Sequence, residues 1–304
     1  MKPGEHAVVA VPVATLWRSP ERIRPVDRAA VETPPDLRTW ATMSAAEQDD
    51  LHGRTDSQLL LGDSVLVEEV RDGWVRCVVP SQATRHDPRG YPGWIPAAQL
   101  EPGDTVPASH VVDAVTSDLR AGLDGAIIVG GVVMGTGLAA SGPVVDGWLP
   151  VALPGRTAWV PAADTAPLTT EGVGDPVRQA ERLIGVRYIW GGMSPYGIDC
   201  SGLVHLSFRR LGVAVPRDAS DQAAATVPLP YGDERRGDLY FFAKTGGTVT
   251  HVGFVAAPPD ADGTRHMVHA SGGTRVVAEP IIGERLDTLV GVHRVARDGS
   301  VRVA

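Results

Sequence analysis

The chain has 304 residues, of which 43% are apolar and 21% are charged, and its formal net charge is −8 at pH 7. This composition excludes a largely disordered chain, and the length predicts two or three domains. The negative charge disfavours nucleic acid as a partner, because binding to phosphates requires a basic surface.

The N-terminal segment and the two cysteines indicate the cellular compartment. The apolar run from Ala7 to Ala14 is short and is interrupted by Pro12, so it predicts a first β-strand and not a signal peptide. No stretch approaches the roughly 20 apolar residues of a membrane span. Cys77 and Cys200 form no disulfide framework and lack the spacing of a zinc site. We therefore expect a cytoplasmic protein with no membrane partner.

A weak internal repeat occupies the first half of the chain. Asp72-Gly73-Trp74 and Asp146-Gly147-Trp148 each lie where a hairpin turn is expected, since Asp-Gly readily adopts the positive φ angles of such turns. Each is followed by a second marker, Trp94-Ile95-Pro96 or Trp159-Val160-Pro161. Two copies of this pattern predict two small β-barrels in tandem.

The repeat and a change in composition predict three domains. The two β-barrels are expected at residues 1–105 and 106–168, and a third domain at residues 175–304. Residues 165–174, rich in Thr, Gly and Pro, are expected to form the linker into the third domain. The first copy alone has extra residues between its markers, 82–92, which predict a protruding loop.

The third domain begins with helices and continues with strands. Asp175-Pro176 predicts a helix start and Gly185 its end, and the spacing of apolar residues predicts a second helix from Cys200 to Leu211. Strands are expected at 238–242, 250–256, 266–270, 274–279 and 289–295. Helices followed by antiparallel strands are typical of an α+β fold.

One cysteine and two histidines are candidates for catalysis. Cys200 lies in the first turn of its helix, where free N–H groups and the helix dipole stabilise a thiolate, although a lone cysteine there is more often a small buried hydrophobe. His251 and His269 lie on strands expected to be neighbours, as a base and the group that orients it require. His266 competes with His269, because residues three apart on a strand face opposite sides.

Five segments resemble the motifs of NlpC/P60 cysteine peptidases and occur in that family's order. They are Tyr188–Gly202, Val215–Asp218, Gly237–Phe242, Thr250–Gly253 and Met267–Ala270. The resemblance covers about 175–295 and implies a papain-like catalytic domain of the α+β class. It also implies Cys200 as nucleophile, His251 as its base and His269, which lies in the last motif, as the residue that orients His251.

The resemblance further implies how the substrate is held. The backbone N–H of Cys200 and the hydroxyl of Tyr188 would stabilise the oxyanion, although Tyr188 also fits the role of a packed aromatic residue. Trp190 would form a wall of the pocket, while Ser201 and Ser220 would bind a carboxylate of the substrate. No metal or cofactor is implied.

The two N-terminal domains resemble bacterial SH3 domains. Together with the segment Gly90–Pro96, they make the chain similar to the γ-D-glutamyl-L-diamino acid endopeptidases of the same family. In that group a tyrosine of the first SH3 domain and the aspartate before the nucleophile bind the substrate's free amine, and Tyr91 and Asp199 match them. The implied substrate is a small murein peptide, L-Ala-γ-D-Glu-(diaminopimelate or lysine), cut after D-Glu during cell-wall recycling.

Two other functions remain open on the sequence. A secreted peptidoglycan endopeptidase would use the SH3 domains as wall anchors, but the sequence shows no export signal. A wall-binding protein with an inactive catalytic domain is disfavoured by the complete set of Cys200, His251 and His269. Cleavage of a free tripeptide and of intact sacculi would separate these functions.

Overall fold

Strands dominate the molecule and form sheets from successive parts of the chain. The computed structural model describes residues 1–168, 174–244 and 247–296. It contains two seven-stranded sheets, followed by a six-stranded sheet with its helices and a short hairpin. Below, these parts are called the first β-unit (residues 1–105), the second β-unit (residues 106–168) and the C-terminal unit (from residue 175). The boundaries between them stay a prediction.

The first β-unit is built on an entirely antiparallel sheet. Its strands are β1 (His6–Val9), β2 (Val13–Trp17), β3 (Thr55–Leu60), β4 (Ser64–Arg71), β5 (Trp74–Val79), β6 (Tyr91–Pro96) and β7 (Leu100–Pro102). They are hydrogen-bonded in the order β3-β2-β6-β5-β4-β1-β7. Asp72 and Gly73 have φ angles of 49° and 80° and join β4 to β5, so the predicted Asp-Gly turn is confirmed.

The second β-unit repeats this arrangement. Its strands are β8 (His110–Val112), β9 (Thr116–Arg120), β10 (Ile127–Val133), β11 (Gly137–Ala140), β12 (Trp148–Leu153), β13 (Arg156–Pro161) and β14 (Thr165–Pro167). Their order is β10-β9-β13-β12-β11-β8-β14, which is the first order with every strand number raised by seven. Asp146 and Gly147 repeat the turn with φ angles of 47° and 80°. The repeat in the sequence is therefore a repeat of topology.

Neither sheet closes into the predicted barrel. The first hydrogen-bonded order ends at β3 and β7, and the second at β10 and β14, with no pairing between the two ends among the described strands. Strands β7 and β14 are three residues long and end at Pro102 and Pro167. Proline has no N–H with which to extend the ladder. The antiparallel sheets of the two predicted SH3-like β-barrels are present, and the pairing of the described strands shows no closed barrel.

A helical insert between β2 and β3, residues 18–54, had no counterpart among the predicted elements. Its helices are α1 (Arg28–Val31), α2 (Leu37–Trp40) and α3 (Ala45–Asp49). Ser44 and Glu47 form a capping box at the start of α3, each side chain accepting a hydrogen bond from the other's backbone N–H. The buried Trp40 indole donates to Asp27 at 3.0 Å, which joins α2 to the segment before α1 within the insert.

The C-terminal unit places helices against one face of an antiparallel sheet. Its helices are α4 (Pro176–Glu181), α5 (Cys200–Arg210), α6 (Ala219–Ala224) and α7 (Glu284–Asp287). Its strands are β15 (Met193–Ser194), β16 (Gly197–Ile198), β17 (Val227–Leu229), β18 (Leu239–Ala243), β19 (Val249–Ala257), β20 (His266–Ala270), β21 (Val276–Pro280) and β22 (Leu289–Arg294). The six-stranded sheet has the order β17-β22-β18-β19-β20-β21.

The sequence predicted most of these elements. Asp175 caps α4 by accepting a hydrogen bond from the Val177 N–H at 2.9 Å, and α5 begins at Cys200 as expected. The five predicted strands correspond to β18 to β22. The predicted linker begins as β14, and residues 169–173 of it lie outside the described residues. Within the described ranges, no helix combines the length and apolar character needed to cross a bilayer.

One apolar cluster joins all three units. It contains Trp17, Trp40 and Leu51 from the first β-unit, Val133 and Met134 from the second, and the buried face of α5 with residues of β18 to β20. Burial of this kind stabilises by about 25 cal/mol per Å² of apolar surface. The cluster therefore holds the insert of the first β-unit firmly against the C-terminal unit.

Candidate active site

Cys200 lies at the start of α5, in a turn built for close backbone contact. The Asp199 carboxylate caps the helix by accepting a hydrogen bond from the Gly202 N–H at 2.6 Å. A Cβ atom on Gly202 would overlap the Gly192 carbonyl oxygen. Glycine at this position therefore lets the loop before the hairpin β15–β16 pack on the helix start.

The carboxylate of Asp199 forms a buried ion pair. Arg217, which is fully buried, donates to both carboxylate oxygens at 3.1 and 2.8 Å, and Gly191 donates its backbone N–H at 2.9 Å. Arg217 also donates to the hydroxyls of Ser201 and Ser57, each at 2.9 Å. Because Ser57 belongs to β3, this arginine fixes the helix start to the first β-unit. The negative charge of Asp199 is thus already compensated.

His251 is the first link in a chain of hydrogen-bonded side chains. Its Nε2 lies 2.7 Å from Nδ1 of His269, and Nε2 of His269 lies 2.9 Å from a carboxylate oxygen of Glu279. His266 is turned away from this chain, and its ring lies 2.8 Å from Asp260. The structure therefore brings His269 to His251 and leaves His266 apart, on the opposite face of β20.

The surroundings of Cys200 and of His251 favour the neutral form of each side chain. Burial raises the pKa of the Cys200 thiol to about 12 and Asp199 adds to this, while the N–H group of Val252 partly opposes it. Burial, with the charges of His269 and Arg285, holds the pKa of His251 well below its usual value. This differs from the thiolate that a helix N-terminus alone would favour. A neutral imidazole can accept a proton from the thiol when attack begins.

The cleft above Cys200 lies between the first β-unit and the C-terminal unit, and its volume is about 400 Å³. The first β-unit supplies one wall, with Arg18, His52, Asp56, His86 and Tyr91. The C-terminal unit supplies the other, with Tyr188, Trp190, Asp199, Cys200, Ser201, Asp218, Ala219, Ser220, Val249 and Thr250. None of the described residues of the second β-unit is in either wall.

The two walls meet at a hydrogen bond between Tyr91 and Asp218. The Tyr91 hydroxyl donates to Oδ2 of Asp218 at 2.9 Å, and the His86 ring lies 4.0 Å from the same oxygen. Burial raises the pKa of Asp218, which Arg217 partly opposes. The third carboxylate of the cleft, Asp56, accepts a hydrogen bond from Arg18 at 2.6 Å. Among the described residues, Asp218 is therefore the cleft carboxylate whose charge is least compensated by a directly bonded cation.

The remaining predicted substrate contacts all line this cleft. The Tyr188 hydroxyl is buried close enough to Cys200 for a thiolate there to raise the pKa of the tyrosine. The Trp190 indole stacks on the His52 ring with centroids 3.5 Å apart. Ser201 accepts a hydrogen bond from Arg217, and Ser220 accepts one from Arg85 of the first β-unit at 2.9 Å.

Several residues in the cleft or directly behind its wall were missed by sequence reasoning. Arg217 and Asp218 lie in a segment that had been identified as a family motif, and this was the available signal for them. Asp56, His52 and Arg18 lie in or beside the helical insert, where no periodicity or motif indicated a role. Only packing of the insert on the C-terminal unit brings those side chains to the cleft.

Comparison with known proteins gives consistent matches. Residues 185–290 match the profile of the NlpC/P60 family. The γ-D-glutamyl-L-lysine dipeptidyl-peptidase of Bacillus subtilis (strain 168) is 33% identical over 260 residues, covering 82% of this chain and 86% of the relative. The protein of the same name from Bacillus cereus (strain ATCC 10987 / NRS 248) is 29% identical over 300 residues, covering 91% and 86%.

A solved structure extends the match to the whole fold. The crystal structure of an NlpC/P60 family protein from Bacillus cereus ATCC 10987 superposes with a TM-score of 0.86 at 27% identity, covering 95% of this chain and 99% of that one. The likeness therefore includes both β-units and not only the segment with the family motifs. With Cys200 at a helix start and His251 paired to His269, the chain belongs to the NlpC/P60 family and is a cysteine-type peptidase.

Proposed function

We propose that this enzyme hydrolyses the bond between γ-D-Glu and the diamino acid of small murein peptides that have a free N-terminal L-alanine. The two relatives named γ-D-glutamyl-L-lysine dipeptidyl-peptidase support this substrate class. The observation that carries the proposal is the cleft end formed by Tyr91 and Asp218. A wall contributed by the first β-unit limits how much peptide fits on the N-terminal side of the scissile bond.

In the proposed mechanism, the sulfur of Cys200 attacks the γ-carbonyl carbon of D-Glu while Nδ1 of His251 takes the thiol proton. The oxyanion that forms is stabilised by the backbone N–H of Cys200 and the hydroxyl of Tyr188. His251 then protonates the leaving amine of the diamino acid. Water, activated by the same ring, hydrolyses the acyl-enzyme and releases L-Ala-D-Glu.

Recognition of the substrate's ammonium is assigned to Tyr91 and Asp218. The family resemblance implied Asp199 as this carboxylate, and Asp199 does line the cleft, where it is paired with Arg217 on both oxygens. A carboxylate that is already neutralised gains little from a second cation, whereas Asp218 accepts from the Tyr91 hydroxyl, has the His86 ring at 4.0 Å and interacts with Arg217 without a hydrogen bond among the described residues. Asp199 keeps an indirect role, because it positions Arg217 and caps α5.

The D-Glu carboxylate has two candidate hydroxyl donors, those of Ser201 and Ser220. Both hydroxyls face the cleft and both already accept a hydrogen bond from an arginine, Arg217 and Arg85 respectively. A hydroxyl that accepts from a guanidinium can still donate to an anion, and Ser201, which donates to Oδ1 of Asp199 at 3.3 Å, would exchange that contact for the substrate carboxylate. We propose that these serines bind the D-Glu carboxylate and that the arginines strengthen the contact.

The experiment compares L-Ala-γ-D-Glu-L-Lys with the same peptide acetylated on the L-Ala amine. Acetylation removes the positive charge and adds bulk against the closed wall, so kcat/KM is expected to fall at least about 100-fold. Initial rates on the two peptides, measured by mass spectrometry of the products, provide the test. Equal rates would overturn the proposed amine recognition.

Digestion of intact sacculi separates this function from that of a wall-anchored endopeptidase. We expect rapid release of L-Ala-D-Glu from the free peptide and little release of fragments from sacculi. Such a preference for small soluble peptides also supports the cytoplasm as our proposed location. Efficient digestion of sacculi, together with weaker sacculus binding after Tyr91→Phe, would favour the anchored enzyme instead.

A further inference from the structure

The hydrogen-bonded chain that starts at His251 does not end at His269. Glu279 lies on β21, where it pairs in register with Met267 of β20. Because side chains on a strand alternate, Glu279 extends from the same face of the sheet as Met267 and His269. Its carboxylate oxygen lies 2.9 Å from Nε2 of His269.

The two groups at the end of this chain differ in exposure. The His269 side chain is fully buried, whereas the Glu279 side chain is 44% exposed. The carboxylate thus touches solvent on one side and the buried ring on the other. A carboxylate accepts hydrogen bonds and donates none.

We propose that Glu279 is a positioning residue that sets the tautomers of both histidines. Since the carboxylate accepts, Nε2 of His269 must carry a proton and Nδ1 of a neutral His269 must be an acceptor. Nε2 of His251 therefore carries the proton shared with His269 at 2.7 Å. This leaves Nδ1 of His251 with a lone pair for the Cys200 proton.

Without the carboxylate, the opposite arrangement becomes available. Nδ1 of His269 would then donate to Nε2 of His251, and Nδ1 of His251 would carry a proton and be unable to accept one. The fraction of enzyme ready for attack would fall accordingly. Glu279 would thus act without touching the substrate, through two rings in series.

The carboxylate also stabilises the imidazolium that forms during attack. The charged groups that act on the two rings are Glu279 on β21 and Arg285 on α7. Burial and Arg285 lower the pKa of His269, and its hydrogen bond to Glu279 raises it. Removing the carboxylate would therefore make the pair of rings less basic. The acid limb of kcat/KM, where His251 becomes protonated, would move to lower pH.

This inference rests on the proposed roles of Cys200 and His251. The experiment is therefore designed so that failure of the role of Glu279 can be told apart from failure of the proposed mechanism. Glu279→Ala and Glu279→Gln are compared with wild type, using the free tripeptide as substrate. Asp260→Ala is the matched control, because it removes the carboxylate 2.8 Å from His266 on the same strand. His251→Ala tests the underlying assignment.

For Glu279→Ala we expect kcat to fall about 5- to 20-fold, with KM within about twofold and the acid limb displaced to lower pH. Glu279→Gln should lose less activity, because its amide oxygen can still accept from His269, but its pH profile should shift in the same direction. Asp260→Ala should match wild type in both measurements.

Nitrogen NMR of ¹⁵N-histidine-labelled protein gives a readout that a merely structural role would not change. Wild type should show both rings protonated on Nε2, and Glu279→Ala should show a mixture of tautomers. Unchanged tautomers and pH profiles in both Glu279 variants, beside an inactive His251→Ala, would overturn the role of Glu279 alone. Activity surviving in His251→Ala would overturn this role together with the proposed mechanism.

Discussion

The two β-units share one strand order but contribute differently to the cleft. The first β-unit supplies five of the residues that line the cleft, and the described residues of the second supply none. Two of those five, Arg18 and His52, come from the helical insert, and the other three come from β3, the loop after β5 and the first position of β6. The strand order is therefore common to both copies, while the helical insert and the loop after β5 supply three of the five cleft residues, and strands β3 and β6 supply the other two.

The second β-unit instead contacts the side of the C-terminal unit away from the nucleophile. Arg210 and Arg182 form ion pairs with Asp113, and the Tyr196 hydroxyl donates to the Gly131 carbonyl at 2.8 Å. Arg209 on α5 donates to the Gly135 carbonyl at 2.8 Å. These contacts support the helix that carries Cys200, so the second copy acts as a brace.

Arg209 connects the second β-unit, which acts as the brace, to the first β-unit, which forms one wall of the cleft. Besides Gly135, its guanidinium contacts both carboxylate oxygens of Asp63 in the first β-unit, at 3.0 and 2.6 Å. One residue of α5 therefore touches both β-units. The position of the wall relative to Cys200 depends on all three units together.

The largest effect is expected when the nucleophile is removed. Cys200→Ala should lower turnover below detection and leave the fold intact, because no other thiol lines the described cleft. Cys77→Ala, on β5 of the first β-unit, should keep full activity and lose about 1 kcal/mol of stability. Rates of tripeptide cleavage and of labelling by a thiol reagent provide the measurement. Activity in Cys200→Ala, or faster labelling of Cys77, would contradict the assignment.

The sequence predicted the elements that local patterns determine. The Asp-Gly turns, the cap at Asp175 and the helix start at Cys200 each depend on a few neighbouring residues, and each is present. The helical insert was missed because its helices are four or five residues long, too short for a hydrophobic periodicity to appear. Its own capping box, at Ser44 and Glu47, was a signal that could have been read.

The next effect separates the two histidines of β20. His269→Ala should lower kcat about 100-fold, because His251 would lose the ring that orients it. His266→Ala should be nearly silent, since its ring contacts only the exposed Asp260 among the described side chains. Steady-state kinetics of both variants on the tripeptide provides the measurement. A larger loss of kcat in His266→Ala than in His269→Ala would show that His266, and not His269, orients His251.

A smaller effect is expected when a carboxylate of the cleft wall, Asp218, is compared with a carboxylate of the second β-unit, Asp113. Asp218→Asn should lower kcat/KM about 30-fold for the free peptide and much less for the acetylated one, because the charge that would pair with the ammonium is lost. Asp113→Asn removes a carboxylate that pairs with Arg210 and Arg182 and should leave kcat/KM within about twofold. Equal losses on both peptides would place the ammonium elsewhere.

The surroundings of Asp199 could not be predicted from the sequence. The residue before the nucleophile was identified, and it does lie in the cleft wall. Its partner Arg217 is 18 positions away along the chain, and nothing in the spacing indicated that the guanidinium would bind both carboxylate oxygens. Which carboxylate is compensated depends on tertiary packing, so it required the structure.

The smallest effect compares two tyrosine hydroxyls that each cross a boundary between units. Tyr91→Phe removes the hydrogen bond to Asp218 and keeps the aromatic ring in the wall. We therefore expect kcat/KM to fall about fivefold, which corresponds to a loss of about 1 kcal/mol of transition-state stabilisation. Tyr196→Phe removes the hydrogen bond to the Gly131 carbonyl and should cost about 1 kcal/mol of folding stability with kcat/KM unchanged. Kinetics and denaturant unfolding of both variants form the measurement. If Tyr196→Phe lowered kcat/KM as much as Tyr91→Phe, the second β-unit would be transmitting its contacts to the cleft, and the division into wall and brace would fail.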